Sequence, residues 1–232
     1  MTDNPAIKFF HVWDTYAKVV AGNYMFHREL GDAVHQILQE RFTAKAFTIL
    51  DLGCGDAATF APLLEGLQIK QYLGADLSDA ALQCAKENLS FLRCPVELRQ
   101  SDFSAALQEA PRQDVIYISF ALHHLSSDQK AVFFRHAAQK LTPDGVLIFV
   151  DVFREEAQPL DNYHAAYCDF LRHSMSDLND DEKASICEHI THYDFPDSRQ
   201  MICDFAERAG LRLIASVEPH KWHQMLAFQR ND

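Results

Sequence analysis

The sequence predicts a doubly wound α/β fold: a seven-stranded, mostly parallel sheet whose last strand runs antiparallel, with helices at the N-terminus and a helical insertion after strand five. Three observations predict it. Short apolar runs alternate with longer helix-compatible segments from residue 49 onward, the rhythm of successive β-α units. Residues 113–119 and 146–150 are apolar almost throughout, as suits central strands covered on both faces. The last two runs, 211–217 and 221–228, are separated only by Glu218-Pro219-His220, a connection short enough for a hairpin, so this pair is antiparallel.

Taken in order, residues 7–20 place Phe9, Phe10, Trp13, Tyr16, Ala17 and Val20 at helical spacing, and Gly22-Asn23 breaks the pattern. A second helix is expected over 24–41, with Leu30, Val34, Ile37 and Leu38 on one face. Residues 57–64 read as the first core helix, shortened or kinked at Pro62. Residues 72–76 form strand two, 79–89 a helix capped by Ser78 or Asp79, 95–99 strand three and 104–109 a short helix. After strand four come a helix over 128–140, a turn at Leu141-Thr142-Pro143-Asp144-Gly145 and strand five over 146–150. Residues 153–196 carry two inserted helices near 160–174 and 180–190, and 197–209 form the last helix, stopped by Gly210. The organisation is one domain: 1–44 N-terminal helices, 45–152 core, 153–196 insertion and 197–232 closing helix and hairpin.

The run Ile49-Leu50-Asp51-Leu52-Gly53-Cys54-Gly55-Asp56 is a strand, a tight turn and a helix start. Gly53 and Gly55 allow a sharp turn and let a ligand approach backbone N–H groups. Asp76 follows Gly55 by 21 positions, which puts a carboxylate at the tip of the neighbouring strand, within reach of an adenosine's ribose hydroxyls. Asp51 and Asp56 flank the turn and would repel a pyrophosphate, so the loop suits an adenosine ligand carrying positive charge.

These residues resemble the class I S-adenosylmethionine-dependent methyltransferases, small-molecule type, over roughly residues 46–152. The motifs are LDLGCGDA, GADLS, QSDF at 100–103, DVIYISFALHHL and LTPDGVLIFVDV. The resemblance implies S-adenosyl-L-methionine as cofactor, strand seven lying between five and six, and N-terminal helices acting as a lid. It implies cofactor contacts at Asp51, Gly53, Gly55, Asp76, Leu77, Asp102, Phe103, Ser119 and Tyr16. Asp102 faces the adenine in that reading and caps a helix in the other. The methyl acceptor is expected near His123, His124 and Asp151, which are catalytic candidates. Either histidine could serve as base or could anchor its loop, and Asp151 could contact the acceptor or cap its strand. Tyr24, His27, Tyr163 and Tyr167 are candidates for the acceptor pocket or for packing.

With 21 basic and 33 acidic residues the net charge is -12, which disfavours nucleic-acid partners, and the base-methylating Asn/Asp-Pro-Pro-aromatic motif is missing after strand four. Six scattered cysteines fit reduced thiols in the cytoplasm, and neither a basic leader nor a membrane-length apolar run stands in the sequence. Cys187, His189, His192 and Asp194 match no common zinc spacing, so no metal is expected. The partner expected is a small-molecule acceptor transferring through an O or N atom. A non-catalytic adenosylmethionine-binding scaffold and a nicotinamide-dependent oxidoreductase are the alternatives.

Overall fold

The computed structural model describes residues 14–231. Its sheet comprises β1 (Phe47–Leu52), β2 (Ile69–Asp76), β3 (Val96–Gln100), β4 (Gln113–Ser119), β5 (Leu141–Val152), β6 (Leu211–His220) and β7 (His223–Arg230), in the order β3-β2-β1-β4-β5-β7-β6. β1 to β5 pair in parallel, and β7 runs antiparallel to both β5 and β6. The expected topology, with strand seven between five and six, is therefore present.

The helices are α1 (residues 14–21), α2 (His27–Phe42), α3 (Asp79–Asn88), α4 (Phe103–Glu109), α5 (Ser127–Lys140), α6 (Leu160–Ser174), α7 (Asp180–Tyr193) and α8 (Arg199–Arg208). Strand alternation divides the core in two. Ile116 and Ile118 face α4, α5 and α8 through Leu107, Phe133, Phe134 and Phe205, whereas Val115 and Tyr117 face α2 and α3 through Leu30, Val34, Leu38 and Ala85. A third apolar cluster joins α6 and α7 to Val19, Val152 and Trp222, so the insertion rests on the end of β5.

Several expected elements differ. Most of the helix placed at 7–20 lies outside the described residues. Residues 57–64 are a turn followed by one 3₁₀ segment, Ala61–Leu64, because Ala57 takes φ 58° and Pro62 has no N–H to extend a helix. The turn at Leu141-Thr142-Pro143-Asp144-Gly145 is instead a bulge within β5: Gln113 pairs with Leu141 and Val115 with Val146, so β5 advances five residues while β4 advances two. The hairpin tip is Lys221-Trp222, since β6 continues through Pro219 with a register shift. α7 runs three residues further than expected, to Tyr193.

Candidate active site

The parallel strands end along one rim, and the glycine loop after β1 forms its centre. Gly53 and Gly55 adopt φ 68° and 52°, and a Cβ on Gly53 would meet the Ala121 Cβ at 3.0 Å. Gly53 and Cys54 both donate backbone hydrogen bonds to the Ala75 carbonyl, at 2.8 and 3.0 Å, which ties the loop to β2. One Asp76 oxygen accepts from Gly55 N at 2.9 Å, and the other accepts from Ser78 N at 2.8 Å. Asp76 thus braces the glycine turn while its carboxylate lines the cleft; Ser78, accepting from Ala81 N, caps α3.

This cleft, of about 260 Å³, is walled by Tyr16, Asp51, Gly53, Gly55, Asp76, Ser119 and Phe120, with Phe60 and Tyr117 stacked at 3.9 Å. Burial pushes the Asp51 carboxyl up to about 7; the hydrogen bond from the Tyr72 hydroxyl, 2.5 Å, opposes this and Asp76 adds to it. A buried carboxylate whose ionised form is disfavoured in this way fits a ligand bearing a sulfonium and an ammonium group.

Beyond Phe120 lies a larger cavity of about 740 Å³ between the strand ends, α1, α6 and α7. Tyr16 and Phe120 belong to both walls, so the two spaces abut at these rings. Val19, Met25, Val152, Tyr167, Leu171 and Met175 make the larger cavity apolar, and His123, His124, His189 and Asp194 make one end polar. Within that end His123 Nδ1 lies 2.5 Å from an Asp151 oxygen, and the other Asp151 oxygen accepts from His123 N at 3.1 Å. Burial alone lowers the His123 imidazole, but Asp151, aided by Asp194, outweighs it and raises the ring above its ordinary range. Burial alone raises the Asp194 carboxyl, and the rings of His124, His123 and His189 reverse that, leaving it below the usual carboxylate range.

Of the expected cofactor contacts, Asp51, Gly53, Gly55, Asp76, Ser119 and Tyr16 meet in the cleft. Asp102 does not: its carboxylate caps α4, accepting from Ser104 N and Ala105 N, and Phe103 turns to the core beside Phe133. Leu77 stands exposed just beyond Asp76. His123, His124 and Tyr167 line the large cavity, while Asp151 stands behind His123. Tyr163 is buried against Tyr167 instead, Tyr24 bonds Ser176 and Asp177, and His27 packs on Phe120. Sequence reasoning missed Phe120, although its place between Ser119 and His123 marked it, and it did not pair Asp151 with His123. His189 and Asp194 entered only as part of a run; their meeting with His123 and His124 was not visible.

Residues 50–147 match the family described as a methyltransferase domain. Indolepyruvate C-methyltransferase of Streptomyces griseus is 30% identical over 84 residues, covering 35% of this chain and 25% of that protein. Carboxy-S-adenosyl-L-methionine synthase of Aeromonas hydrophila subsp. hydrophila is 27% identical over 165 residues, covering 68% of this chain and 65% of the relative. The aligned parts thus amount to less than two thirds of either relative. The N-methyltransferase NodS from Bradyrhizobium japonicum WM9 shares the fold with a TM-score of 0.60 at 15% identity, covering 89% of this chain and 97% of that one. Residues 50–147, which carry the acidic glycine loop and Asp76, are thus similar to a methyltransferase domain, and the chain as a whole shares the fold of solved methyltransferases.

Proposed function

We infer that this protein transfers a methyl group from S-adenosylmethionine to an O or N atom of a small, largely apolar acceptor. One observation carries the reading: the cofactor cleft and the larger cavity share Tyr16 and Phe120, so ligands in the two spaces meet at one point. When bound, the cofactor supplies an already activated methyl on sulfur. The chain's contribution is alignment: Asp76 and the glycine loop fix the adenosine side, and apolar walls exclude water from the acceptor side. His123, oriented through Nδ1 by Asp151 and with Nε2 3.6 Å from the cavity-lining Asp194 Oδ1, can in its neutral form take a proton from an acceptor hydroxyl.

The wall chemistry narrows the acceptor. Among the described residues it includes Asp181, Glu182 and Asp194 and no Lys or Arg, while Lys18 pairs with Glu182 and three histidines share the wall, so a neutral acceptor suits it.

Calorimetric titration with S-adenosylhomocysteine, S-adenosylmethionine and NAD, followed by label transfer from methyl-labelled cofactor to aromatic amines and phenols, tests the reading. Both sulfur compounds are expected to bind and NAD to be inert. Asp76→Ala is expected to weaken binding by about 10-fold or more, since it removes both ribose acceptors and a brace of the loop. NAD binding alone overturns the assignment. Cofactor binding with no transfer across the panel favours a non-catalytic scaffold.

A further inference from the structure

We propose that His123, His124, His189 and Asp194 form a binding site for a divalent transition-metal ion of the zinc class at the polar end of the large cavity. The Asp194 side chain is 6% exposed, and its Oδ1 has no hydrogen-bond partner. Around that oxygen stand His123 Nε2 at 3.6 Å, His124 Nδ1 at 3.3 Å and His189 Nε2 at 3.7 Å. These separations exceed normal N–H···O lengths of about 2.7–3.2 Å. They suit ligand atoms that share an ion, because four ligands at about 2.0–2.1 Å in a tetrahedron lie roughly 3.3 Å apart. One ligand atom from each of His123, His124 and Asp194 lies within 4.8 Å of the others. His189, more exposed, supplies a fourth by side-chain movement or leaves that position to the acceptor.

The surroundings hold the ligands in place. Asp151 accepts from His123 Nδ1, the outer carboxylate that fixes a ligating imidazole's tautomer and leaves Nε2 its lone pair. Asp194 is positioned through its backbone: its carbonyl lies 2.9 Å from His164 Nε2, and the next residue, Phe195, donates its N–H to the His123 carbonyl at 2.7 Å. The Tyr193 carbonyl, 3.1 Å from His124 Nδ1, accepts from that nitrogen when it is protonated; coordination through Nδ1 gives up this hydrogen bond and moves the proton to Nε2. Three imidazoles and one carboxylate select a first-row transition ion over magnesium or calcium, which take oxygen ligands.

Occupancy does not depend on the methyl-transfer reading, but the ion's role does. An acceptor oxygen coordinated there is acidified, and His123 then acts as a ligand in place of a base. The ligands come from positions 123–124 and 189–194, so a search for short ligand spacing could not find the set.

The test is a chelator-competition titration of the metal-stripped chain with Zn²⁺, together with visible absorption of its Co²⁺ form and S-adenosylhomocysteine binding on the same samples. One ion per chain and the intense visible bands of tetrahedral Co²⁺ are expected. His124→Ala and Asp194→Asn are expected to weaken Zn²⁺ binding more than about 100-fold, and Asp151→Asn about 10- to 100-fold, with unchanged circular dichroism. His192→Ala, whose exposed ring bonds its own helix at Glu188, is expected to leave binding unchanged. Absence of one-to-one binding overturns the site, as does weakening in His192→Ala or full retention in Asp194→Asn. Failure of S-adenosylhomocysteine to bind the unsubstituted chain overturns the cofactor reading and leaves the metal result standing.

Discussion

Asp51 joins burial to ligand charge at a single residue. Its folded-state value of about 7 lies above the ordinary 3.8, so the protonated form is favoured by folding. The stability this contributes is fully present below about pH 4 and is lost as pH rises through about 7. A cationic ligand beside Asp51 favours the ionised form and reverses that preference. S-adenosylmethionine affinity is therefore expected to rise several-fold between pH 6 and 8 with release of a proton, and Asp51→Asn to flatten the profile. Calorimetry in buffers of different ionisation enthalpy reads both quantities. His27 presents the opposite case: burial lowers its imidazole to about 4, so it stays neutral through this range and does not compete for the effect.

At the scale of elements, the segment between α7 and α8 must be fixed for Asp194 to reach the rim. Lys130, buried on α5, donates to the Asp197 carboxylate at 2.9 Å and also to the Phe195 carbonyl. Arg154 stands 3.7 Å from the same carboxylate. Lys130→Met leaves Asp197 buried with weaker compensation and is expected to cost about 3 kcal/mol, with the Lys130→Met/Asp197→Leu pair recovering much of it; urea unfolding measures both. This clamp also marks what sequence could not supply. The glycine turn and Asp76 were legible because they lie within one β-α-β unit, where strand period and turn chemistry set their positions. Asp151 meets His123 only because β4 and β5 pair Ser119 with Val150, and Asp194 arrives from some 70 residues away by way of Lys130. The 57–64 helix failed for local reasons, the positive φ of Ala57 and the missing N–H of Pro62, and Asp102 caps α4 through one oxygen, one of the two purposes a carboxylate before a helix serves.

For the whole molecule, the sheet order followed from the α-β alternation and the final hairpin, whereas the shape of the large cavity depends on how α6 and α7 settle on Val19, Val152 and Trp222. No single segment encodes that packing. Among the described residues no helix is long and apolar enough to cross a membrane. The net charge of -12 predicts that tRNA and duplex DNA fail to bind at 150 mM salt in a filter-retention assay, because counterion release needs clustered basic residues. The wall shared by Tyr16 and Phe120 has a thermodynamic consequence. Any shift of these rings on filling one side changes the free energy of filling the other, and such coupling is reciprocal: whatever factor the cofactor imposes on acceptor affinity, the acceptor must return.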